Sequence, residues 1–228
     1  MDPSRMEQAC LDRAKDSALH ALSDLGWPVA DRLREYYDPD GDFAGASFTQ
    51  LGPVVPDDIT AADLYAVRLL NVRVGPRATR QLLDDGSTRR RILTALRALP
   101  TTDLADAGPD TWAAMGELYE AVKAGPSAKH ARTPNPWVTA SKLCARKRPD
   151  LFPVRDRVVC DYLELTHPLS ARRDWQVFQY LITPIGRSVT RSMPPPTRHA
   201  VNYTAPRSPW TSAAFASSTS LCGPTRGN

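Results

Sequence analysis

Through the first 182 positions apolar residues recur at spacings of three and four, and prolines and glycines cut that pattern into short runs. A period near 3.6 puts the apolar set on one face of a helix, and that face must be buried against another element. The first such run spans residues 3–25, with Asp2 as cap, Pro3 at the first helical position, and Gly26 and Pro28 as stop. A short helical piece over 31–37 follows. Residues 38–56 have no period and are expected to be irregular, with a brief extended piece around 46–55. Phe43, Phe48, Leu51, Val54 and Val55 make this loop too apolar to float free, so it should lie against the helices.

The next signals are local and sharp. Thr60-Ala61-Ala62-Asp63 approximates a capping box ahead of a helix that buries Leu64, Val67 and Leu70. Pro76 opens a helix that ends near Gly86, and Ser87 or Thr88 caps one that closes at Pro100. Asp110 caps a helix carrying Trp112, Met115, Leu118, Tyr119 and Val122, which Gly125-Pro126 ends. After a polar link over 127–133, Pro136 starts a helix through Lys147, Pro153 starts another with Val154, Val158, Val159, Tyr162 and Leu163, and Ser170 caps a last one with Trp175, Phe178, Leu181 and Ile182. Roughly eight helical segments joined by short linkers give an all-α fold, an orthogonal helical bundle.

Beyond Ile182 the composition changes. Ser, Thr and Pro make up nearly half of residues 183–228, and neither lysine nor an acidic residue follows Asp174. A stretch with so little periodic apolar surface cannot offset its ordering entropy by burial. The domain organisation expected is therefore a helical domain over 1–182 and a disordered C-terminal tail over 183–228. The abrupt change, in mid-pattern and without a capping glycine, also fits a shift of reading frame near Ile182. In that case the face of Trp175 and Phe178 would lack its cover and stay partly exposed.

The charge balance follows the same boundary. The chain carries +4 overall, but the tail supplies five arginines without a counter-charge, so residues 1–182 carry about −1. The basic pI is thus poor evidence for a nucleic-acid partner of the folded part. Cys10, Cys144, Cys160 and Cys222 form no CxxC pair and have no metal-ligand spacing with histidine, so reduced thiols, no metal and no cofactor are expected. No apolar leader and no run of about 18 apolar residues is visible. The reading is a cytoplasmic protein that does not enter a membrane.

Within this ordinary composition one cluster stands out. Residues 129–157 hold Lys142, Arg146, Lys147, Arg148, Arg155 and Arg157 among eight cations, against Asp150 and Asp156 alone. Lys142 and Arg146 are four apart and share a helical face, which could track a phosphate backbone. The bland alternative is a solvated face whose last cations suit a helix C-terminus. Asp156, flanked by two arginines near a helix start, is a candidate acid or, more simply, a first-turn carboxylate. Residues 70–79 have a faint likeness to a DNA-binding hairpin, with Gly75 alone where two glycines are usual.

Three blocks carry a resemblance: residues 57–67 with 70–74, residues 140–149 with 151–156, and Asp174-Trp175-Gln176-Val177-Phe178. Together they resemble an uncharacterised family of helical proteins frequent in actinobacteria, a likeness that implies a helical fold and no activity. The second block also distantly resembles helix-hairpin-helix DNA glycosylases. That likeness implies an essential Asp156 with a nearby lysine as nucleophile. This chain departs from it at the glycine hairpin and has no lysine at the usual flanking site.

Two functions are compatible with these signals. The first is a non-enzymatic helical module that binds a protein or nucleic-acid partner through its basic helical face. The alternative is a nucleic-acid-processing enzyme with Asp156 as the key acid. What separates them is whether Asp156 lies in a concave basic pocket or pairs with its neighbours.

Overall fold

The computed structural model describes residues 7–23, 27–125, 136–165 and 170–189. Its helices are α1 (Gln8–Leu22), α2 (Val29–Tyr36), α3 (Ala44–Gln50), α4 (Ala61–Leu69), α5 (Pro76–Leu83), α6 (Ser87–Arg97), α7 (Pro109–Ala124), α8 (Pro136–Lys147), α9 (Arg157–Tyr162) and α10 (Ala171–Val189), with a 3-10 turn at Leu104–Asp106. The described residues contain no strand, so the fold is all-α.

Local chemistry explains most of the boundaries. At α4 the capping box forms: the Thr60 hydroxyl accepts from the Asp63 amide, and the Thr60 amide donates to Asp63 Oδ2 at 2.9 Å. At its other end the amides of Asn71 and Val72 donate back to the carbonyls of Arg68 and Val67. Asn71 takes the left-handed conformation, φ 66°, that this closing turn usually assigns to glycine. α9 ends in the same way with Glu164 at φ 55° and Leu165 tucked beneath it. Pro76, Pro109 and Pro136 each sit at the head of their helix, where a missing amide costs nothing.

Around these elements the core is continuous. α8 packs on α7 and on α4, α6 packs on α7, and α10 lies against the 3-10 turn, α1 and α7. Trp175 on α10 is the pivot. It stacks on Trp112 at 6.2 Å and meets Tyr119 and Phe152 edge-on at 5.6 and 5.5 Å.

Several expectations change in this frame. Residues 44–50 are helical rather than irregular, and nothing is extended into a strand there. α3 is pressed onto α2 so closely that a Cβ on Gly45 would lie 2.3 Å from the Tyr36 carbonyl oxygen. Phe48 is buried as expected, but Val54 and Val55 stay exposed, because residues 51–57 cross the surface after α3 ends. Val158 also faces outward: the helix starts at Arg157, not at Pro153, which turns the apolar register around Val159. α10 does not stop at Ile182 but runs to Val189, and Trp175, Phe178 and Leu181 are all buried. α7 and the 3-10 turn lie against this face, so the exposure that a shifted frame would bring is not seen there. The polar link over 127–133 and the tail beyond residue 189 lie outside the described residues. No helix among those described is long and apolar enough to cross a membrane.

Candidate functional site

Helix α8 passes through the middle of the molecule. Every residue from Thr139 to Lys147 is buried, although three of them are cations. A charge in such a place must be paired and hydrogen-bonded. Each of these is.

Arg146 Nε donates to Asp63 Oδ1 at 3.2 Å, and Lys147 Nζ donates to Asp63 Oδ2 at 2.9 Å. Asp63 itself is fully buried. Its carboxylate therefore serves two purposes: it closes the capping box of α4 and holds two cations of α8. The remaining Arg146 nitrogens donate to the carbonyls of Phe48 and Leu51, and Lys147 donates to the Val55 carbonyl at 2.6 Å. These bonds tie the stretch around α3 to the centre of the fold.

One turn earlier, Lys142 Nζ donates to the Leu70 carbonyl at 2.8 Å and lies 3.1 Å from Asp156 Oδ2. The other Asp156 oxygen accepts from the Val159 amide at 3.0 Å and caps α9. Tyr36 lies on the same side. Its phenol pKa is pushed above the ordinary value, first by burial, then by the neighbouring Tyr37 and Asp156.

Arg155 is the most enclosed cation among the described residues, at 1% exposure. It pairs with Asp174, donates to the Tyr119 hydroxyl at 3.3 Å, and stacks over the rings of Trp137 at 5.5 Å and Tyr119 at 5.8 Å. Burial works against its charge, while the Asp174 carboxylate, with Tyr119 and Cys160, acts the other way, and its pKa lies above the ordinary value.

The six cations expected to form one nucleic-acid-binding face are thus not on a common surface. Lys142, Arg146, Lys147 and Arg155 are interior. Arg148 is half-buried, donating to the carbonyls of Leu99 and Pro100 where α6 ends. Only Arg157 is exposed, 3.8 Å from Asp161. For Lys142, Arg146 and Arg148 the physical reason is the same. Helix C-termini leave carbonyls unsatisfied, and few helices here end in a capping glycine. Long cationic side chains from a neighbouring helix reach those carbonyls instead. Arg32 does the same for Ala21 at the end of α1, and Arg89 for Leu82 at the end of α5. Asp156 accordingly pairs with its neighbours, and the described residues hold no group of three or more His, Cys, Asp or Glu placed to bind a metal.

The solvent-facing positive charge lies elsewhere. Between Asp63 and Asp84 the chain has Arg68, Arg73, Arg77 and Arg80 and no acidic residue. All four are exposed. They surround the turn 70–75 and the first turns of α5, whose start has no side-chain cap. Nothing lies within 4 Å of where a Cβ on Gly75 would be, so the backbone there is open to approach. The hairpin-like reading of residues 70–79 fell on this place, which in the structure is the closing turn of α4, with Asn71 left-handed, followed by the start of α5.

The model of a family described as "Family of unknown function (DUF6308)" matches residues 29–193. No curated protein and no solved structure matches the chain. The matched segment starts with α2, leaves α1 outside, and extends past Ile182 through the end of α10.

Proposed function

We propose that this chain, which belongs to the DUF6308 family of unknown function, is a non-enzymatic module that binds the phosphate backbone of nucleic acid on the turn between α4 and α5. One observation carries the reading: four exposed arginines, with no carboxylate among them in sequence, frame an uncapped helix start. The start of a helix offers free amides and a partial positive charge, which suit a phosphate. Arg77 and Arg80 are three apart and share a face of α5. The carboxylates of Asp84 and Asp85 come only at the far end of that helix.

The test is fluorescence anisotropy of the full chain with a labelled DNA duplex at a series of salt concentrations. Arg73→Ala with Arg77→Ala should weaken binding similarly for all sequences. It should also reduce the slope of log affinity against log salt by about one unit per lost contact. The tail arginines contribute equally to both proteins. An unchanged affinity and slope would remove the reading. Lys142→Ala with Arg146→Ala is no test of binding, because both side chains hold the core.

The alternative is the enzyme reading, against which Asp156 is paired with the buried Lys142 amine at 3.1 Å. In that reading Asp156 stabilises positive charge developing on a sugar, the role that the glycosylase likeness implies. Asp156→Asn still caps α9, since asparagine caps as well as aspartate. Any excision of damaged bases should vanish in this variant while the unfolding transition persists. Wild-type protein that releases no base from a panel of damaged duplexes would end this reading.

A further inference from the structure

The turn between α4 and α5 carries a second feature beside its charge. Tyr65 is 54% exposed, the most exposed of the large apolar side chains described, and Leu69 one turn later is 39% exposed. Both lie on the outer face of α4, and Arg68 is their neighbour at a spacing of three from Tyr65. α4 buries Leu64, Ala66 and Val67 on its other side, so its packing does not require an aromatic ring at 65. Two side chains are too small a patch for a stable protein interface, which needs about 800 Å² from each partner. An open aromatic ring beside a guanidinium group has a different complement. Every nucleobase has a flat face that can stack on such a ring, while its phosphates meet the adjacent cations.

We infer that Tyr65 is a stacking platform for an unpaired base, and that the ligand of this surface is single-stranded nucleic acid. The inference rests on the backbone-binding reading above and narrows it. In a duplex the faces of the bases are hidden in the stack, so a ring on the protein surface gains nothing without unpairing. In a single strand the face is free. A base lying on Tyr65 leaves its backbone to run past Arg68 toward Arg73 and the head of α5.

The experiment uses the full chain and two fluorescein-labelled probes, an oligothymidylate of about 12 nucleotides, within the usual site size, and a duplex of equal length. The single strand should bind more tightly than the duplex. Tyr65→Ala should lose roughly tenfold in affinity for the single strand and leave duplex binding unchanged, and Tyr65→Phe should bind like the wild type. Circular dichroism should be unchanged, because the ring is outside the core. A Tyr65→Ala protein that binds the single strand like the wild type, or loses equally on both probes, would overturn the inference. If in the first case Arg73→Ala with Arg77→Ala still weakens both probes, backbone binding stands and stacking falls. If that arginine variant matches the wild type on both probes, both readings fall together.

Discussion

Asp63→Ala is expected to lower the stability of the fold by about 3–5 kcal/mol, because it leaves the buried Arg146 and Lys147 without their shared counter-charge. Two effects act together. The first is the cost of uncompensated charge in the interior. Arg146 and Lys147 keep their carbonyl partners, so their heads stay in place without the carboxylate between them. The second is the loss of the capping box at α4, about 1 kcal/mol. A domain of this size has roughly 5–15 kcal/mol in total, so the variant should stand near the edge of folding. Urea unfolding followed by circular dichroism measures the change. Asp84→Ala, at an exposed carboxylate, is the control and should stay within about 0.5 kcal/mol of the wild type. An Asp63→Ala midpoint equal to that of the control would show that the carboxylate is not what holds α4 to α8.

Trp175→Ala is the other large effect, expected at about 3–5 kcal/mol. The indole is 2% exposed and touches three aromatic rings, Trp112 and Tyr119 on α7 and Phe152 in the segment after α8. Removing it leaves a cavity between Trp112, Tyr119 and Phe152 that rigid neighbours cannot fill. Because α10 is held largely through this face, its release should come with the loss of stability. Gln179, which donates to the carbonyls of Leu104 and Ala107 at 3.0 Å each, would then lose its register on the 3-10 turn. Hydrogen exchange across residues 171–183 should rise far more than across α4. If stability falls while α10 stays as protected as α4, the indole contributes packing energy but does not dock the helix. If neither changes, the aromatic cluster carries no stability.

The elements that sequence alone determined are those governed by neighbours within a few residues. The box at Thr60 and Asp63, the helix starts at Pro76 and Pro136, and the end of α7 at Gly125 each follow from chemistry confined to one turn of chain. The apolar faces of α4, α6 and α7 follow for the same reason, since the period is written into each segment. Whether a cation points to water or to the core is decided by contacts that no local rule contains. Lys142 and Arg146 have the spacing of a solvated basic face. They became interior because α8 is enclosed by α7 on one side and by α3 and α4 on another. The partners of Arg146 lie 83 residues away at Asp63 and 98 away at Phe48. A one-turn pattern cannot specify such partners. It records that a charge is present, while only the packing of helices around α8 sets the dielectric and the carbonyls that the charge will meet. The α4–α5 turn was not legible as a basic surface for the converse reason: its four arginines are spread over thirteen residues, from Arg68 to Arg80, and are gathered only where the chain turns back at Asn71.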